Sequence, residues 1–173
     1  PRGGVSGIWI SFILIGIFFV KDIFFTITTG IIGLLGFLED IFNIPSKLRL
    51  LIQFVISTLI VWLISGFSGS MVEMAIFLFW IIFITGTANF YNFMDGINGI
   101  AGLTGIVAFG LVVYFSFYIA DDNNIIILSI ALMSACFGFL PFNFPKARVF
   151  MGDVGSIFLG FVFASFVVRL SGN

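Results

Sequence analysis

The chain has 173 residues, 61% of them hydrophobic and 9% charged, with a mean hydropathy of +1.28 and a net charge of −1. A soluble domain carries about 25% charged residues, so this chain cannot cover a water-facing surface and is expected to be an all-α, polytopic transmembrane bundle. A nucleic-acid partner is excluded for want of a basic face.

Apolar runs of about 17 to 25 residues are the unit of a helical span. Seven are predicted in order, at about 4–20, 23–38, 48–66, 71–88, 99–119, 125–141 and 154–170. Lys21-Asp22 separates the first pair. The stretch 39–47, with Pro45, separates the next. Gly66 to Ser70 is a short turn, Asp121-Asp122-Asn123-Asn124 a polar tip, and 141–152 a longer loop with Pro145. One set of alternate loops holds Arg2, Lys47, Arg49, Lys146 and Arg148, and the other only Lys21 and Arg169. The positive-inside rule makes the first side cytoplasmic. Hydropathy alone then brings Glu39, Asp40, Asp95 and Asp153 to that same side. Ionisable groups at a membrane default to a functional reading. The chain opens on Pro1 and is expected to be one membrane-embedded core, 1–173, cut from a longer protein.

Histidine is absent, which removes the commonest general base and metal ligand. Acid–base or metal chemistry must rest on carboxylates, whose oxygens suit magnesium or manganese. The lone Cys136 lies in an apolar run and reads as a small core residue.

Asn89, Asn92, Asp95 and Asn98 recur every three residues. On a helix they form one polar ridge, suited either to a substrate rich in hydrogen-bonding groups or to an interhelical ladder. Gly96 and Gly99 allow close approach of backbone to a ligand. Gly102 and Gly105 continue the spacing and read as helix packing. Asp153 lies between Gly152 and Gly155 where a loop enters a helix. There it either holds a metal while the helix N–H groups meet phosphate oxygens or caps the helix. Glu39 and Asp40 are neighbours, pointing about 100° apart on a helix, so one faces a site while the other orients a partner or binds metal. Lys47, Arg49, Lys146 and Arg148 read either as phosphate-binding groups or as topological anchors.

At these residues the chain resembles the polyprenyl-phosphate N-acetylhexosamine-1-phosphate transferases, glycosyltransferase family 4. That membrane family starts O-antigen and related surface glycans and loads phospho-MurNAc-pentapeptide onto its lipid carrier. Four blocks match in order: Pro1-Arg2-Gly3-Gly4; Gly36 to Asp40 with Pro45 to Gln53; Asn89 to Gly102; and Arg148 to Gly160. The resemblance implies a sugar-1-phosphate transfer from a UDP-N-acetylhexosamine to polyprenyl phosphate, with release of UMP. It makes Asp153 the magnesium ligand. It places Asn92, Asp95 and Gly96 in the nucleotide-sugar site, and Phe150 against uracil. It gives Asp40 or Glu39 the activation of the lipid phosphate. Asn89, Asn98, Lys47 and Arg148 complete the expected binding set. Three departures stand out. Glu39 replaces the family's first Asp, Asn98 replaces its last and cannot act as a base, and the family's histidine-rich loop lies outside the chain. The wording of 89–96 leans toward the O-antigen type. Gly3 and Gly7 allow a helix-paired homodimer. A transporter and a catalytically inactive nucleotide-sugar scaffold are the rival expectations.

Overall fold

The computed structural model describes residues 6–20, 22–42, 44–66 and 69–172. The block Pro1-Arg2-Gly3-Gly4, Lys21 and the Gly3 half of the glycine pair lie outside the described residues. Seven helices follow one another: α1 (Ser6–Phe18), α2 (Ile23–Phe42), α3 (Ser46–Ser65), α4 (Met71–Met94), α5 (Ile100–Phe115, prolonged by a π-turn, Ser116–Ala120), α6 (Asn123–Asn143) and α7 (Gly152–Ser171). Among the described residues there is no strand. Helices α2 to α7, α5 with its π-turn, are each long and apolar enough to cross a membrane, and the chain is a multi-pass membrane protein. Of the predicted first span, the described helix α1 covers 13 residues, about 20 Å of helix, and the start of that span lies outside the described residues.

Helix starts carry their own signals. Ser70 accepts from the Glu73 N–H at 3.2 Å at the head of α4. Asp122 Oδ1 accepts from the N–H groups of Asn124 and Ile125, both at 3.1 Å, at the head of α6. Both are N-caps that satisfy otherwise orphaned donors. Two helices outrun their hydropathy. The period of three keeps α4 helical to Met94, beyond the expected stop at 88. Helix α2 runs to Phe42, so Glu39 and Asp40 sit in its last turns rather than in a loop.

Helix α7 is the axis of the bundle and packs on α1 through α5. In its apolar window 72% of residues are buried, against 22% in α3 and in α4. The outer helices turn their other apolar faces to lipid, which is no worse a partner than protein for such side chains. Close van der Waals fit therefore holds the helices together. Small residues set that fit. A Cβ added at Gly36 would lie 2.6 Å from the Asp153 carbonyl oxygen, and one at Gly160 would lie 2.9 Å from the Ala88 Cα. Helices α2 and α4 thus reach the α7 backbone where no larger residue could stand. Gly105 gives α5 the same closeness to Cys136 of α6, as its packing reading expects. Phe158, Phe161 and Phe166 fill the space around this axis and are fully buried.

Candidate active site

Four carboxylates meet at one end of the bundle around the first turn of α7. A helix start leaves unpaired N–H groups. Here those of Met151 and Gly152 donate to Asp95 Oδ1 and Oδ2 at 2.9 and 2.8 Å. Those of Asp153 and Val154 donate to Asp40 Oδ1 and Oδ2, both at 3.2 Å. Two acids from distant helices therefore cap α7 in tandem, favoured by the helix dipole and by charge-assisted bonding. Gly152 makes the turn possible with φ of 72°, in the left-handed region that glycine enters freely. This arrangement corrects the expectation that these N–H groups meet phosphate oxygens: they already have carboxylate acceptors. Asp153 is likewise not the N-cap. It lies in the first turn of α7, and Met151 holds the cap position.

The remaining acids share a cation. Arg49 Nη1 lies 2.6 Å from Glu39 Oε1 and 3.4 Å from Asp153 Oδ2. Glu39 and Asp40 thus diverge from the end of α2, one to Arg49 and the other to α7. Asp40, Asn92, Asp95, Gly96, Phe150, Gly152 and Asp153 line a cavity of about 460 Å³. Asp95 is 8% exposed. Burial pushes its carboxyl above the usual carboxylate range, and the Met151 and Gly152 N–H groups pull it back toward ionisation. Four carboxyl groups gather here around one guanidinium, so the cluster is acidic.

The polar ridge divides. Asn92 lines the cavity, with the Ser156 hydroxyl 2.6 Å from its Oδ1. Asn89 sits one turn deeper. Its Nδ2 donates to Gln53 Oε1 at 2.6 Å and to the Thr85 carbonyl at 2.8 Å, which is the interhelical contact of the ladder reading. Asn98 leaves the ridge because α4 ends at Met94. It is exposed, and its Nδ2 donates to the Pro145 carbonyl at 3.2 Å. The expected four-residue face therefore holds only through Asp95. Phe150 is 42% exposed at the cavity. Lys47 and Arg148 are exposed at the same end of the bundle, outside the cavity lining.

Gln53, Ser156 and Asn143 are not among the expected site residues, and Arg49 is expected only as a phosphate-binding group or a topological anchor. Arg49 and Gln53 are four apart on α3, the spacing of one helix face, which was the available signal. Asn143 is buried between two loops. Its Oδ1 accepts from the Gly99 N–H at 2.6 Å, and its Nδ2 donates to the Val149 carbonyl at 2.8 Å. It steadies the approach to Phe150, and no sequence pattern points to it.

Asp153 is the residue that would hold a divalent cation at this cavity, with Asp40 and Asp95 committed elsewhere. Asp40 and Asp95 use all four oxygens on backbone N–H groups. The Asp153 carboxylate takes no backbone N–H among the described residues and lines the cavity, with its Oδ2 3.4 Å from Arg49. Among the described residues no three side chains form a ready cage. A hard cation there would rest on one carboxylate and take the rest of its shell from water and substrate oxygens.

Residues 23–171 match the family described as glycosyl transferase family 4, and the chain belongs to that family. A phospho-N-acetylmuramoyl-pentapeptide-transferase of Oceanobacillus iheyensis is 32% identical over 80% of this chain and 48% of the relative. One from Streptococcus pyogenes is 30% identical over 81% and 47%. One from Helicobacter hepaticus is 47% identical over a shorter stretch, 32% of this chain and 15% of the relative. The chain spans about half the length of the first two. The lean toward the O-antigen type finds no support in these relatives, which carry the pentapeptide-transferase name.

Proposed function

We propose that this chain is the core of an enzyme that transfers a sugar-1-phosphate from a UDP-N-acetylhexosamine to polyprenyl phosphate, releasing UMP. The observation that carries the reading is the cavity where Asp153 stands beside Asn92, Gly96 and Phe150 while Asp40 and Asp95 lock the backbone beneath it. The anionic wall suits a diphosphate only through a bridging cation, and magnesium or manganese on Asp153 would supply charge neutralisation there. An oxygen of the lipid phosphate attacks the β-phosphorus. The new bond is from that oxygen to phosphorus, and the bond to the bridging oxygen breaks, so that UMP carries away the electron pair. The attacking oxygen is already anionic. The protein's work is therefore positioning and electrostatics rather than proton transfer. Phe150 offers a face for the base, and Asn92 and Gly96 offer polar contacts to the donor. The exposed Lys47, Lys146 and Arg148 lie at the site end and, with Arg49, support reading that end as the cytoplasmic face of a bacterial plasma membrane. A water-soluble donor and a membrane-held acceptor meet there.

The test is UMP release by the full-length protein given undecaprenyl phosphate, magnesium and a panel of UDP-N-acetylhexosamines, beside its Asp153→Asn variant. Lipid- and magnesium-dependent release, lost in the variant, supports the reading and names the sugar. Retained release in the variant removes the metal assignment. Magnesium-dependent UMP binding without turnover would favour the scaffold, and nucleotide-sugar flux without lipid product the transporter.

A further inference from the structure

Three features of the acidic end have no place in that account. Arg49 is the one cation paired with this acidic cluster among the described residues, and it leans unequally on two of the four acids, 2.6 Å from Glu39 and 3.4 Å from Asp153. Glu39 does not line the cavity, although its neighbour Asp40 does. Finally, Arg49 Nε and Gln53 Nε2, one helical turn apart on α3, are buried donors without acceptors. The guanidinium is therefore not locked in a full set of bonds, and its position is decided by the two acids that compete for it.

We propose that Glu39 is a positioning residue that acts through Arg49: it draws the guanidinium away from Asp153 and so leaves that carboxylate free for a divalent cation. The inference rests on the reading of Asp153 as the cation's ligand. Arg49 and the cation compete for the charge of the same carboxylate: a guanidinium drawn up to Asp153 repels a second cation there. With no cation bound, Arg49 partly neutralises Asp153. With the cation bound, the short bond to Glu39 retains Arg49 and limits repulsion between the two cations. Glutamate suits this role, since its extra methylene carries the carboxylate out to α3 while Asp40, one residue on, stays against α7.

The test is Mn²⁺ binding by electron paramagnetic resonance, in magnesium-free buffer, on the full-length protein and its variants. Asp153→Asn must lose the bound Mn²⁺; if it does not, the metal reading falls and this inference with it. Given that loss, Arg49→Gln should bind Mn²⁺ about tenfold more tightly, because a competing charge is gone. Glu39→Gln should bind it about tenfold more weakly, because Arg49 then closes on Asp153. The decisive measurement is the cycle between them. In the Arg49→Gln background, Glu39→Gln should weaken Mn²⁺ binding by no more than about threefold, the remainder of through-space attraction. An undiminished loss there would make Glu39 a direct ligand and overturn the inference while leaving the metal at Asp153. Arg49→Lys, which keeps the charge, should bind Mn²⁺ like the unaltered protein, and an affinity as high as that of Arg49→Gln would also count against the competition.

Discussion

The two ends of the bundle use the same chemistry to opposite effect. At the far end Asp22 Oδ1 accepts from the Phe25 N–H at 3.1 Å at the start of α2, and Asp122 Oδ1 caps α6. Their second oxygens both take Arg169, Nη1 from Asp22 Oδ2 and Nε from Asp122 Oδ2 at 2.9 Å, with the guanidinium 5.5 Å from the Phe25 ring centre. Every carboxylate oxygen of that triad has a partner. At the site end two acids also serve a helix start, but Glu39 and Asp153 share one arginine and keep oxygens in reserve. Volume does not separate the ends. A cavity of about 460 Å³ lies at each, but the far one is lined mainly by Phe24, Phe25, Leu63 and Ile64. The difference teaches that burial of charge marks a reactive site only where the charges are left uncompensated.

That contrast can be broken by substitution, and the largest effect is expected at Asp95. Asp95→Ala removes both acceptors of the Met151 and Gly152 N–H groups, each worth about 1–3 kcal/mol when orphaned. It should abolish UMP release and lower the thermal midpoint in detergent. Activity above a tenth of normal would show that the cap is not what orders the site. Next comes Arg169→Gln, which leaves Asp22 and Asp122 without their cation. Their partial exposure discounts the penalty to about 1–2 kcal/mol. The thermal midpoint should fall while turnover per folded molecule stays within about twofold; a selective loss of turnover would erase the distinction between the ends.

Three smaller substitutions sharpen the comparison. Gly36→Ala sets a methyl group 2.6 Å from the Asp153 carbonyl and should push Asp40 off its N–H groups, with a loss of roughly tenfold or more, since displacements near 1 Å are costly in catalysis. Gly86→Ala is its control. A Cβ there meets nothing within 4 Å, so activity should hold, and stability should rise by up to about 1 kcal/mol from helix propensity. The smallest change is Asn98→Ala, which loses one exposed bond to Pro145 and should alter turnover by less than twofold, with stability within about 0.5 kcal/mol. A large loss would return Asn98 to the cavity.

Much of this was legible in the chain. Hydropathy and loop charge brought Glu39, Asp40, Asp95 and Asp153 to one end, because spans of fixed length leave little freedom in how loops alternate. The spacing of Asn89, Asn92 and Asp95 gave a ridge that α4 does present. What hydropathy could not give was where a polar helix stops. Asn98 fits the same period, but α4 ends before it, and a repeat carries no information about its own end. Nor could any local pattern show that the α7 N–H groups are already occupied. Their acceptors belong to other helices, and a helix start reads alike whether its partner is a carboxylate from afar or a ligand. Arg49 was visible as a cation, but its alternatives of anchor and phosphate binder both missed an internal counter-ion.

The tandem cap on α7 also has a bearing on how the protein is made. Its acceptors and donors are separated by 56 to 114 positions in the chain. The ribosome therefore delivers Asp40 and Asp95 to the bilayer well before the helix they clamp. Pairing of such distant segments comes late in assembly. Until α7 inserts, the two acids do not have its amides to hold, and the cavity has no Asp153. The order of synthesis thus leaves this site unassembled until α7 is in place.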